Sequence, residues 1–247
     1  MSPQRRHRAP APPADIDPWD GVLLVDKPAG PTSHDVVDAV RGTFGFRKVG
    51  HGGTLDPAAT GLLVILIGRG TKLSNFFMSS DKTYIGVMRL GIATDSQDAD
   101  GAVIAEAPWE HVTREMLEEE MAKYRGDIYQ TPPMVSAKKV AGVPLYKHAR
   151  RGKTVPREAK LIHVYTFRLD DFDPPRAAFE LKCTKGTYVR TICADVGAGL
   201  GCGAHLASLR RLASADLHVD DAIPFEDLLT LTEGDLIDRI RPVLDFR

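Results

Sequence analysis

In "HGGTLDPAATG", residues 51 to 61, one acid is set as if for chemistry: Asp56 lies between Leu55 and Pro57, with glycines at 52 and 53 before it and an apolar run from 62 behind it. The glycines permit a sharp turn, the proline fixes φ just after the acid, and the run behind reads as an anchoring strand. The carboxylate is therefore expected on the tip of a rigid loop. Asp-Pro pairs are also ordinary turn formers for purely local reasons, so a chemical role needs a partner. "CTKGTYVRTI", 183 to 192, offers one, because Tyr188 and Arg190 stand two residues apart and share a face if the segment is extended. A guanidinium beside Asp56 would keep the carboxylate ionised and oriented, as a nucleophile or base requires, whereas burial without a cation drives it neutral. On spacing alone the pair is equally a structural ion bridge at a sheet edge. Taken singly, Tyr84 and Leu209 read as core residues and His51 as a loop histidine.

Three other patterns fail on context. "GLGCGA", 199 to 204, has dinucleotide-binding spacing but follows a helical segment instead of a strand. "DSQDADG", 95 to 101, has calcium-loop spacing, yet Ala107 stands where the closing glutamate belongs, so it reads as a polar turn. "GRGTK" has Thr and Lys in the wrong order for a phosphate-cradling loop.

The elements that must position Asp56 and Arg190 follow from periodicity. "GVLLVDK" is a short buried strand, and "PTSHDVVDAVRGTFG" a helix with Thr32 or Ser33 as its cap, Val36, Val37, Val40 and Phe44 on one face, and Gly45 as its stop. Strands are expected at 62–67, 82–91, 161–169 and 177–184, and helices around "TKLSNFFMSS", over "TREMLEEEMAKYRG" with Met116, Leu117, Met121 and Tyr124 inward, and at "FEDLLTL". The stretch after 187 reads as a helix, a glycine turn and a strand. Residues 131–160, with four prolines and two glycines, predict a long loop or hairpin with a short helix standing off the core. Strands and helices do not alternate regularly, which points to an α+β class with a mixed, largely antiparallel sheet.

The 247 residues carry a net charge of −1, which argues against nucleic-acid binding by overall basicity. The charge is nevertheless segregated. Residues 138–160 hold eight Lys or Arg against one acid, Glu158, while 95–127 hold ten acids against three bases. A polyanion could dock on one face. The three cysteines form no CxxC pair, so neither zinc nor a disulfide framework is suggested and a reducing cytoplasm fits. No apolar run reaches the roughly 18 residues of a membrane span. Residues 1–19, rich in Pro, Ala and Arg, are expected to be a disordered tail, with one catalytic domain over 20–247.

Five blocks taken together, "GVLLVDKPAGPTSHDVV", "GHGGTLDPAATGLLVI", "DKTYIGVMRLGIATDSQDADG", "TPPMVSAKKVAGVPLYKHARRG" with "VPREAK", and "KGTYVRTICADVGAGLGCGAHLASLRRL", strongly resemble the TruB-type tRNA pseudouridine synthases, in order from about residue 21 to 220. The resemblance implies the pseudouridine synthase fold with flanking helices and a central cleft, and conversion of uridine-55 in the T-arm of tRNA to pseudouridine without cofactor or metal. By position it makes Asp56 the catalytic aspartate and Arg190 its partner, Tyr84 and Tyr188 the aromatic pair around the target base, and Leu209 the apolar wall. His51 is similar to the histidine that enters the space left by the flipped nucleotide. Residues 131–160, with Lys147, Arg150 and Arg151, resemble the thumb that grips RNA. A monomer is expected. Two departures stand out. His51-Gly52-Gly53 replaces the family's His-Thr-Gly, which predicts a looser loop, and only about 27 residues follow the last block, too few for a C-terminal PUA domain. The rival expectations are a non-catalytic tRNA-binding module and a glycosidase. The latter needs two facing carboxylates, and no acid but Asp195 lies near the 188–190 block in sequence.

Overall fold

The computed structural model describes residues 17–246 except 137, 141 and 150. Most of the expected tail and Arg150 therefore lie outside the described residues.

In chain order the elements are β1 (Gly21–Lys27), α1 (Ser33–Phe44), β2 (Val49–His51), β3 (Thr60–Ile67), α2 (Ser74–Ser79), β4 (Lys82–Leu90), β5 (Ile92–Thr94), β6 (Val103–Glu106), α3 (Arg114–Ala122) and β7 (Gly126–Gln130). There follow β8 (Lys139–Val140), β9 (Val143–Pro144), α4 (Leu145–Ala149), β10 (Lys160–Asp173), β11 (Arg176–Cys183), α5 (Val189–Gly199) and β12 (Ala204–Ser214). The chain then runs through β13 (Leu217–His218), β14 (Ile223–Pro224), α6 (Phe225–Leu228), α7 (Glu233–Ile237) and β15 (Arg241–Pro242).

Eight strands form the spine of one sheet in the order β14-β1-β3-β12-β4-β11-β10-β7, with β13, β15 and β2 attached. The class is α+β with a mixed, mainly antiparallel sheet: β1 pairs antiparallel with β3, and β12, β4, β11, β10 and β7 form an antiparallel run. The two halves meet at a short parallel seam between β3 and β12, Thr60 opposite Arg210 and Gly61 opposite Arg211. Gly61 has φ +96°, and a Cβ there would stand 2.3 Å from the Arg211 carbonyl oxygen, so the strands can close only over glycine.

β1 and β3 are buried on both faces, which explains their unbroken apolar runs. Leu23, Val25, Leu63 and Ile65 join the large core with α1, α3 and α5, whereas Leu24, Leu62, Val64 and Leu66 pack with Phe77 of α2 on the other side. α1 begins at a capping box in which Thr32 and Asp35 exchange side-chain bonds, and ends at Gly45 with φ 65°. On α3, Leu117 and Met121 are fully buried, but Met116, expected inward, is exposed because it lies off the stripe they define. The stretch 131–160 carries the β8–β9 hairpin and the short α4. No helix among the described residues is long and apolar enough to cross a membrane.

Candidate active site

Asp56 sits on the connection between β2 and β3, and that connection is held almost entirely through its backbone. Ser33, at the first turn of α1, accepts from the Leu55 amide at 2.8 Å and donates to the Leu55 carbonyl at 3.0 Å. Lys27, fully buried at the end of β1, donates from Nζ to the Pro57 carbonyl at 3.0 Å and to the Pro28 carbonyl at 2.7 Å. Arg211 on β12, also fully buried, reaches the Gly53 carbonyl from Nη2 at 3.2 Å, the Thr54 carbonyl from Nη1 at 3.4 Å and the Leu62 carbonyl from Nε at 2.7 Å. Buried carbonyls need such donors. Satisfying 53–57 from below leaves the Asp56 side chain to point outward. Burial pushes the Lys27 ammonium down to about 8, against the opposing pull of Asp56.

At Gly52 a Cβ would come within 2.5 Å of Phe77 Cβ, and the Gly52 amide donates to the Val64 carbonyl at 2.8 Å. The loop is therefore packed against α2, and the looseness expected from the missing side chain is not what the structure has. Phe77 fills the space. Lys82 fixes α2 in turn, donating to the carbonyls of Phe77 at 2.7 Å and Ser80 at 2.5 Å.

The Asp56 carboxylate lies 3.7 Å from Arg190 Nη2; Arg190 is 4% exposed and Asp56 49%, its open side facing a cleft. Arg190 is held more tightly elsewhere. Its Nη1 pairs with Asp98 Oδ2 at 3.0 Å and Nη2 donates to the Val135 carbonyl. Asp98 is itself fixed by the Ser96 hydroxyl and by the Asp100 amide at 3.2 Å. Arg190 favours the charged form of Asp56, as expected of a guanidinium beside it, but it is not the largest influence on that carboxyl. Burial raises the Asp56 carboxyl above its ordinary value, the Arg190 guanidinium opposes that, and Asp98 and Asp100 add to the rise. A second acid does stand beside Arg190, contrary to what the sequence around 188–190 suggests, but it is engaged and does not line the cleft.

The cleft encloses about 890 Å³, a volume suited to a small ligand or an extruded nucleotide. Asp56, Tyr84, Tyr188, Arg190 and Leu209 all line it. Tyr84 is buried beside Arg211, and burial pushes its phenol up to about 12. Tyr188 is not in an extended segment with Arg190: it is the N-cap of α5, and Arg190 lies in that helix's first turn. Gln130 holds the Tyr188 backbone with two bonds, 2.8 Å to the amide and 3.0 Å to the carbonyl. The Arg190 guanidinium then lies 6.0 Å from the Tyr188 ring centroid, within cation–π range.

His51 does not line the cleft; its Nδ1 accepts from the Gly53 amide at 3.3 Å, and burial, with Arg211 next, pushes its imidazole below the usual value. Lys147 and Arg151 are exposed on and just after α4, also away from the cleft lining. Five further residues matter to the site and are not evident from sequence. Lys27, Ser33, Arg211 and Gln130 act on backbone atoms, which spacing does not reveal. Asp98 carries a signal, since "DSQDADG" is dense in acids, but that stretch reads as a polar turn. No cluster of His, Cys, Asp or Glu among the described residues is arranged to hold a metal.

Residues 41–189 match the family model described as TruB family pseudouridylate synthase (N terminal domain), and 190–244 match the tRNA pseudouridylate synthase B C-terminal domain. A tRNA pseudouridine synthase B of Opitutus terrae is 51% identical over 224 residues, covering 91% of this chain and 93% of that protein. Its counterpart from Geobacter sulfurreducens is 47% identical over 220 residues, covering 89% and 72%. Among solved structures, a chain of a Cbf5–Nop10–Gar1 complex superposes with TM-score 0.73 at 26% identity; the match covers 94% of this chain and 62% of that one. A chain of an H/ACA RNP bound to a substrate RNA shares the fold with TM-score 0.68 at 24% identity, covering 91% and 59%. This chain thus spans about three fifths of the length of those solved chains. With both family models matched end to end over 41–244, the chain belongs to the TruB family of pseudouridylate synthases.

Proposed function

We propose that this protein isomerises uridine-55 in the T-arm of tRNA to pseudouridine, using Asp56 as an ionised carboxylate and no cofactor. The observation that carries the reading is the Asp56 carboxylate, braced through its backbone, 3.7 Å from a buried guanidinium and open to a cleft walled by two tyrosines and a leucine. The relatives named tRNA pseudouridine synthase B supply the substrate class.

The reaction breaks the C1′–N1 bond, turns the uracil and joins C5 to C1′; the proton lost from C5 is balanced by one gained at N1, so no electrons need a carrier. The detached base must be kept between walls, the part given to Tyr84, Tyr188 and Leu209. Asp56 attacks the sugar, attacks the uracil or removes a sugar proton. All three routes need the anion, and Arg190 stabilises and orients it. Because the target lies inside a folded arm, the nucleotide is flipped out at a cost of a few kcal/mol. His51 fills the space left, and the basic segment around Lys147, Arg150 and Arg151 grips phosphates and offsets the cost. The working unit in this reading is a monomer acting in the cytoplasm.

The test is incubation of the protein with an unmodified tRNA transcript and mapping of pseudouridine by position. Formation at uridine-55 supports the proposal; an unmodified transcript, or modification only elsewhere, overturns it.

A further inference from the structure

The wall of the cleft continues outward onto a part of the sheet that is apolar where water would favour polar groups. β7 and β10 pair so that Leu161 stands opposite Tyr129 and His163 opposite Asp127. The alternation along β10 buries Ile162 and Val164, so these four side chains occupy the face turned away from the core. Tyr129 is 76% exposed and Leu161 58%, a cross-strand aromatic–aliphatic pair that nothing in the chain covers among the described residues. Lysines stand near it, together with acids that have partners of their own. Lys160, exposed at the start of β10 and opposite Gln130, lines the cleft with Lys185, and Lys182 lies 5.8 Å over the Tyr165 ring. Of the acids nearby, Asp127 is engaged by His163 at 2.7 Å and Asp81 by the Tyr165 phenol.

The ledge is in register with the chemistry. Leu161, Lys160, His163 and Asp127 line the same cleft as Asp56. Gln130, the residue after Tyr129, turns inward to hold the Tyr188 backbone. The consecutive residues Tyr129 and Gln130 of β7 thus carry an exposed phenol ring on the outer face and an anchor for the Tyr188 backbone on the inner face. An exposed ring beside an aliphatic floor, rimmed by lysines, is the arrangement on which an unpaired base stacks while its phosphate meets the cations.

We propose that Tyr129, backed by Leu161 and flanked by Lys160, is a stacking ledge for an unpaired nucleotide of the same RNA, next to the one drawn into the cleft. This rests on the RNA substrate proposed above and adds a residue that reads the substrate outside the reacting base.

The experiment compares wild type, Tyr129→Ala, Tyr129→Phe and Lys160→Ala on an unmodified T-arm stem-loop, measuring pseudouridine formed, Kd and the salt dependence of Kd. The exposed position makes Tyr129→Ala a substitution the fold tolerates, and thermal melting checks this. Stacking predicts that Tyr129→Ala weakens binding about fivefold or more, with an unchanged salt slope and kcat within about twofold, while Tyr129→Phe behaves as wild type. Lys160→Ala flattens the salt slope by the equivalent of about one phosphate. RNA binding by Tyr129→Ala equal to wild type overturns the ledge, including the case where that variant instead loses self-association, which would make the patch an interface between copies. Failure of the wild type itself to form pseudouridine counts against the proposed function, and the ledge falls with it only if the RNA is also not bound.

Discussion

The proposed reaction needs Asp56 as an anion in a cleft that disfavours anions. Its carboxyl is raised because burial outweighs Arg190, so in the window between the ordinary and raised values the folded chain holds more protons than the unfolded one. Stability falls as pH rises through that window, and above it the cost is complete. Asp56→Asn is therefore expected to abolish turnover, by about a thousandfold or more, and yet to raise the melting temperature at pH 7. Because half the side chain still meets water, the gain stays below about 1 kcal/mol, and it vanishes in melts run below the ordinary aspartate range. A lower melting temperature for the variant at pH 7 contradicts this. Asp98 acts one step away. Asp98→Asn removes a charge that raises Asp56, so the acid limb of a pH–rate profile moves to lower pH. It also frees Arg190 from its 3.0 Å anchor and should cost on the order of a hundredfold in kcat with little change in KM. An acid limb moved upward in that variant counts against the assigned electrostatics.

At the scale of elements, the site depends on the clamp from β1, α1 and β12 beneath the 53–57 loop. Ser33→Ala strips both partners from the buried Leu55 amide and carbonyl and should destabilise the fold by about 1–3 kcal/mol. It should also lower kcat more than it raises KM, measured by urea unfolding and steady-state kinetics. Much of this level is legible in the sequence: α1 and its Thr32 cap, the apolar β3, and the helix, turn and strand that form α5 and β12 all follow from periodicity and punctuation. Burial of Val189, Ile192, Cys193 and Val196 on one stripe makes the segment after Tyr188 helical, so Tyr188 and Arg190 meet the cleft from a helix start and not from one face of an extended strand. β2 and β7 stay hidden because one is three residues long and the other, though its burial alternates, exposes Tyr129 and buries Gln130, so its residue types do not follow the alternation.

At the scale of the whole molecule, the near-neutral total charge conceals a basic segment set apart from acidic ones. Charge removal at Lys147 and Arg151, both exposed, should weaken tRNA binding and reduce the slope of log Kd against log salt by about 0.7–0.9 for each phosphate left unneutralised. An unchanged slope would show that α4 does not touch RNA. Segregated charge and the five sequence blocks are legible at this scale. The strand order is not, nor is the seam at which Gly61 meets Arg211, because pairing between distant strands leaves no local pattern. The same holds for Lys27 and Arg211, long cations whose partners are carbonyls far along the chain.

The most direct test is to give wild type and Asp56→Asn the same unmodified tRNA, measuring binding and pseudouridine together. Equal affinity is predicted for the two proteins, with pseudouridine formed by the wild type and none by the variant. Pseudouridine formed by Asp56→Asn at a rate near that of wild type would contradict the role given to this carboxylate.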